Sequence, residues 1–256
     1  MIDVHSHILP ELDDGAQNLE LAISMLKEST LQGVTDVVST SHCYPKTEAD
    51  ITNFLHKRKL SYDTLCGGTN SDDTSFPHIH QGCEVNMLTD ISDYDNIAAL
   101  CIENTEYILV EMPYSPWSDW MIDSIYKLTL HGLKPIMAHI DRYTSQNKEN
   151  LMALQELDVI FQVNADLFLN KKMKKTADKL INDGYVHIIG SDMHSMGIRK
   201  PNLKNAKEEI VSKYGLEFFN EMQENARCIL KNEDIPHRSL TIKKQHCPIF
   251  NFLKSK

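Results

Sequence analysis

Seven short apolar runs recur along this 256-residue chain, most of them separated by stretches with helical spacing. The runs are Ile2–Val4, Val34–Ser39, Phe76–Gln81, Tyr107–Val110, Pro135–Ala138, Val159–Val163 and His187–Ile189. Short β-branched runs bounded by turn residues read as strands. The periodic stretches 17–32, 47–64, 118–131, 148–156, 171–183, 202–213 and 216–230 read as helices, and the first stops at Gly33. Strands that must be revisited after a helix pair in parallel, and a parallel sheet is buried on both faces. Seven of them without an interrupting linker favour a closed or nearly closed barrel over an open sheet. No G-x-G-x-x-G follows the first strand, so nothing supports dinucleotide binding. The most loop-like stretch is Gly67 to Ser75.

The residues that end these runs carry the chemistry. His5 and His7 stand two apart in an extended chain, so both imidazoles face the same way. Asp14 follows after the turn marked by Pro10 and Gly15. The later runs lead to His42, Glu84, Glu111, His139, Asn164 and the pair Asp192 and His194. In a barrel all strand C-termini share one rim, where such enzymes keep their active sites. Imidazoles mixed with carboxylates suit zinc, manganese or iron, and the absence of clustered cysteines speaks against a thiolate zinc site. Ligands in this number suggest more than one ion, and neighbouring divalent ions are the usual means of phosphoester hydrolysis. Arg142 lies three residues after His139 and Arg199 five after His194. Guanidinium forks bind phosphate oxygens two at a time.

Composition excludes other classes. A net charge of −10 argues against a nucleic-acid partner. No apolar run approaches the roughly 20 residues of a membrane span, which predicts no membrane insertion. The first residues have neither a basic region nor an apolar stretch of signal-peptide type. Cys43, Cys66, Cys83, Cys101, Cys228 and Cys247 show no paired spacing, as expected of free thiols in the cytoplasm. None has an arginine six positions later, which a cysteine-dependent phosphatase needs around its thiolate.

Five motifs in order carry a family resemblance: His5-Ser6-His7 with Asp14, Ser41-His42-Cys43-Tyr44-Pro45, Gly82-Cys83-Glu84, His139-Ile140-Asp141-Arg142-Tyr143, and Gly190-Ser191-Asp192-Met193-His194. Together they resemble the polymerase and histidinol phosphatase (PHP) superfamily, and within it the bacterial metal-dependent tyrosine-protein phosphatases linked to capsular and exopolysaccharide synthesis. The resemblance implies a distorted (β/α)7 TIM-like barrel with its metal site at the C-terminal ends of the strands. It implies three divalent ions, most commonly manganese, with iron or zinc as alternatives. One ion would take His5, His7, Glu84 and Asp192. A second would share Glu84 and add Glu111 and His139, and a third would take Asp14, His42 and His194. Arg142 and Arg199 match the phosphate-binding arginines, and His42 or His194 is the candidate proton donor.

The implied activity is hydrolysis of phosphotyrosine in a protein partner, the tail of a membrane-associated tyrosine kinase. A small-molecule phosphatase of the histidinol-phosphatase type would use the same cluster. An amidohydrolase also begins with H-x-H, but would leave the arginines without a role. A metal-binding module without turnover is the remaining alternative. The family usually has Pro-Glu where Ile140-Asp141 stand, and Ala where Met193 stands. Residues 1–235 are expected to form the phosphatase domain and 236–256 a basic tail.

Overall fold

The computed structural model describes residues 1–69 and 76–240. It opens with β1 (Ile2–Ser6), α1 (Leu19–Leu31), β2 (Asp36–Ser39), β3 (His42–Cys43) and α2 (Glu48–Thr69). Next come β4 (His78–Gln81), β5 (Glu84–Asn86), β6 (Tyr107–Glu111), α3 (Asp119–Leu130) and β7 (Lys134–Met137). After these follow α4 (Lys148–Glu156), β8 (Ile160–Asn164), the single turn α5 (Asp166–Leu169), α6 (Lys174–Asn182), β9 (Ile188–Gly190), α7 (Leu203–Tyr214) and α8 (Leu216–Leu230).

All strand pairings among the described residues are parallel. They fall into a three-stranded sheet, β1-β2-β4, and a six-stranded one, β3-β5-β6-β7-β8-β9. A parallel bridge between Ser6 and Met193 brings the far edge back to β1, so the sheet curls. Two of the seven expected strands are broken: the chain kinks after Ser39 and after Gln81, and β3 and β5 resume beyond each kink.

Every residue of β1, β6 and β8 is buried. Alternation divides the strand side chains between two apolar clusters. Ile108, Val110, Phe161 and Val163 join the larger cluster with the helices. Tyr107, Leu109, Ile136, Ile160 and Ile188 join the smaller one. By the same alternation Glu111, Gln162 and Asn164 continue the face of the smaller cluster toward the strands' C-terminal ends.

One expectation fails. Helix α2 does not stop before Gly67 but runs through Gly67 and Gly68 to Thr69. A Cβ at Gly68 would stand 2.9 Å from the Leu19 methyls, so that glycine serves close packing of α2 on α1 rather than a turn. Residues 70–75 of the expected loop lie outside the described residues. Of the expected tail, His237 and Arg238 are hydrogen-bonded to Asn225, Asp158 and His187; residues 241–256 lie outside the described residues.

Candidate metal centre

The strand ends converge as their spacing predicts. His5 and His7 leave β1 on one side, and parallel register sets His42 beside Glu84. Three donor atoms then gather, and a fourth, from Asp192, stands against both histidines. His5 Nε2 and His7 Nε2 stand 3.2 Å apart. Glu84 Oε2 is 3.3 Å from the first and 3.4 Å from the second. Asp192 Oδ1 is 3.5 Å from each. Donors about 2.0–2.1 Å from one divalent ion stand about 3.3–3.4 Å apart in tetrahedral geometry, so the spacing of His5, His7 and Glu84 suits an ion, with Asp192 against both histidines. Hydrogen bonding alone does not satisfy it, because His7 Nε2 carries at most one proton and meets His5 Nε2, Glu84 Oε2 and Asp192 Oδ1.

Two further groups adjoin this cage. The other Glu84 oxygen, Oε1, is 2.7 Å from His139 Nε2, and Glu111 Oε1 is 3.6 Å from the same nitrogen. Glu84 thus reaches two clusters with its two oxygens. Asp14 Oδ1 lies 3.5 Å from His42 Nε2 and 3.4 Å from His194 Nε2. His42 Nδ1, His139 Nδ1 and His194 Nε2 are buried without a hydrogen-bond partner. Of these, His42 Nδ1 stands 3.1 Å from Glu84 Oε2 and 3.8 Å from Glu111 Oε2, and His194 Nε2 faces Asp14, so both fit ligation better than an apo core. All nine residues singled out as ligands are therefore brought together.

The electrostatics follow from burial against many charges. Burial opposes a charge on His7, yet Asp13 and Glu84 outweigh it and raise its pKa to about 10. Burial likewise opposes ionisation of Glu84, but His5, His139 and His42 hold its carboxyl well below the usual range. Asp192 is depressed in the same way by His5, Arg142, His7 and Arg199 against the cost of burial. His194 is lowered to about 4 by burial and by the neighbouring His7 and Arg199.

Arg142 and Arg199 both reach the cluster. Arg142 Nη2 pairs with Asp192 Oδ2 and Arg199 Nη2 with Asp192 Oδ1. Both side chains stay about a third exposed, so the forks border the mouth of the site. Tyr114, largely exposed, takes a 3.3 Å hydrogen bond from Arg142 Nη1. Tyr44, also exposed, lies with its ring 5.4 Å from that of His42.

Asn164, marked at a strand end in the sequence, and several residues given no role there hold the ligands in place. Asp13 Oδ2 accepts from His7 Nδ1 at 2.7 Å and from the His42 backbone N–H at 2.9 Å. Gln162 Oε1 is 3.1 Å from His5 Nδ1 and accepts the His139 N–H at 2.7 Å. Asn164 Nδ2 donates to Asp192 Oδ2 at 2.7 Å. Buried Tyr143 donates to the Met112 carbonyl and packs on His139. His139 (φ 31) and Asp192 (φ 54) both take left-handed backbone that costs non-glycine residues energy, a feature that clusters at functional sites. Gly190 is required where β9 meets β1, since a Cβ there would lie 2.4 Å from His5 Cβ. The two departures from the family pattern fall outside the cage. Ile140 and Met193 are buried in the core, and Asp141 Oδ1 accepts the Asn164 N–H at 2.9 Å.

The family model for capsular polysaccharide synthesis proteins, CpsB/CapC, matches residues 1–231. The chain belongs to this family. Among its relatives, the tyrosine-protein phosphatase CpsB of Streptococcus agalactiae serotype III is 31% identical, with 92% of this chain and 100% of the relative covered. The tyrosine-protein phosphatase YwqE of Bacillus subtilis is 27% identical over 92% of this chain and 93% of the relative. The fold matches a crystal structure reported among those of YwqE and of CpsB from Streptococcus pneumoniae, described as metal-dependent tyrosine phosphatases. That match has a TM-score of 0.79 at 25% identity, over 96% of this chain and all of the other.

Proposed function

We propose that this chain is a metal-dependent phosphatase that hydrolyses phosphotyrosine in proteins. The observation that carries the reading is the cage of His5, His7, Glu84 and Asp192 with two half-open arginines at its mouth. The curated relatives named tyrosine-protein phosphatases support the substrate class. We read the seven strand passages, two of them broken, as a distorted (β/α)7 barrel. We assign three ions, most commonly manganese, to the ligand sets implied by the motifs. Divalent ions held there supply the Lewis acidity that lowers the pKa of a water and neutralises phosphate charge.

The protein's own groups do the rest. Arg142 and Arg199 bind the phosphoryl oxygens, in competition with Asp192, and spread the charge that shifts as the ester bond breaks. Glu84 presents one oxygen to each of two ligand groups and would screen the charges of ions held there from one another. His42 and His194 both face Asp14, and we assign to whichever of the two is not a ligand the proton delivered to the leaving oxygen. Exposed Tyr114 beside Arg142 and exposed Tyr44 beside His42 offer aromatic faces where a tyrosyl ring can pack. The physiological substrate we infer is the tyrosine-rich tail of a membrane-associated kinase, reached from the cytoplasm. The free state of Cys43, Cys66, Cys83, Cys101 and Cys228 supports a reducing compartment.

At Cys83, next to Glu84, thiolate chemistry has no support. Burial pushes the Cys83 thiol well above its usual pKa, and its Sγ–H donates to the Leu100 carbonyl. The test is an assay of the purified protein, with defined metals, on phosphotyrosine peptide, phosphoserine peptide and histidinol phosphate side by side. Faster turnover of phosphotyrosine peptide is expected. Preference for histidinol phosphate would overturn the protein-phosphatase reading.

A further inference from the structure

A second group of potential ligands lies at the other end of the same strands. Asp36 begins β2 and His78 begins β4, and parallel register pairs the two. His80 is two residues on from His78, so all three side chains share one face with Val38 of the smaller apolar cluster, while Val37 and Ile79 belong to the larger one. His78 Nδ1 and His80 Nε2 are 3.2 Å apart. His80 Nε2 is also 3.2 Å from Asp36 Oδ1. The three donor atoms all lie within 4.8 Å of one another.

Two features favour a cation over a hydrogen-bonded surface cluster. His80 Nε2 carries at most one proton, and it faces two partners that both sit at contact distance. A cation in that space satisfies all three atoms at once. The 3.2 Å spacings again approach the roughly 3.3–3.4 Å edge expected of tetrahedral zinc. Thr35 Oγ1 donates to Asp36 Oδ2 at 2.8 Å, which turns the other oxygen toward the histidines. Solvent reaches His78, leaving room for a water as fourth ligand.

We propose that Asp36, His78 and His80 form a separate Zn²⁺ site that clamps strand β4 to β2. Strand β4 is the edge of the three-stranded sheet, so a cross-link at its start fixes the strand least held by neighbours. The site lies at the strands' N-terminal ends, whereas His42 and Glu84 lie beyond their C-terminal ends. It is therefore structural and has no part in phosphoryl transfer.

The experiment compares the full chain with the double variant His78→Gln, His80→Gln. Each is stripped of metal and brought to equilibrium by dialysis against zinc at micromolar free concentration, and bound zinc is counted by mass spectrometry. The double variant should bind one zinc fewer per chain and keep its turnover of phosphotyrosine peptide with manganese. It should also lose part of the zinc-dependent rise in melting temperature. Equal zinc content in the two proteins would overturn the proposal. Should the double variant fail to fold, His78→Gln alone decides, because that side chain is exposed. At least tenfold weaker binding of one zinc equivalent, against a competing chelator, supports the site, and unchanged affinity overturns it.

Discussion

Replacing Asp13 by Asn tests whether the cluster is held for metal or is only a buried polar core. The Asp13 side chain is 5% exposed. Its Oδ2 accepts from His7 Nδ1 at 2.7 Å and the His42 N–H at 2.9 Å, and its Oδ1 accepts the Gly15 N–H at 2.9 Å. Burial opposes its charge, yet His7 and these backbone donors hold the carboxyl below its usual range. Asparagine has one acceptor oxygen, so its NH2 must face at least one of those donors whichever way the amide turns. One buried donor left unsatisfied costs about 1–3 kcal/mol, which the urea midpoint of the metal-free protein reports. The carboxylate also orients His7 so that Nε2 faces the cage. Loss of such a partner typically weakens metal affinity about 10–100-fold, roughly 1.4–2.7 kcal/mol. Calorimetric titration with Mn²⁺ measures it directly. Wild-type metal affinity in a folded Asp13→Asn protein would refute the placement of His7 as a ligand oriented by Asp13.

Four other outcomes follow from the same geometry. Arg142→Ala and Arg199→Ala should remain folded and metal-loaded but lose on the order of 10²–10³ in kcat, with lysine rescuing only in part; steady-state kinetics beside metal analysis checks this. Glu84→Ala should lower metal content more than His139→Ala, because Glu84 reaches two ligand groups, and metal counting on both variants decides. Gly190→Ala should cost about 1–3 kcal/mol of stability by forcing β9 from β1 at His5, read as a lower urea midpoint. Stability should also fall in acid through His187, whose pKa burial lowers to about 4 and whose Nδ1 accepts the Phe161 N–H. The folded value lies below the unfolded one of about 6.5, so stability is full above that pH and falls between pH 6.5 and 4, by roughly 2–4 kcal/mol. His187→Gln should flatten that segment of the profile, and an unchanged profile would count against it.

The parts legible in sequence were those fixed by short-range periodicity. His5 and His7 had to share a face because a strand alternates, and His42, Glu84, Glu111, His139 and Asp192 were marked by the apolar runs before them. What escaped was set by tertiary contact. The two-residue strand at His42 carries no propensity signal and exists because β5 lies beside it. Gly68 reads as a breaker until Leu19 is seen pressed against it. Asp13 was overshadowed by Asp14, and only the turn shows that Asp13 points at His7 while Asp14 faces His42 and His194. Gln162 was hidden inside an apolar run, where its parity with Asn164 was the one available clue. The pairing of Asp36 with His78 needed strand register, which 41 residues of intervening chain conceal.

Metal dependence is the central claim, and one measurement addresses it most directly. The full chain is stripped with a chelator, checked for residual metal, and assayed on phosphotyrosine peptide before and after addition of Mn²⁺. Turnover should vanish with the metal and return as Mn²⁺ refills the His5, His7, Glu84 and Asp192 cage, with no recovery in Glu84→Ala. Phosphotyrosine turnover that persists undiminished in protein shown to be free of metal would contradict the account.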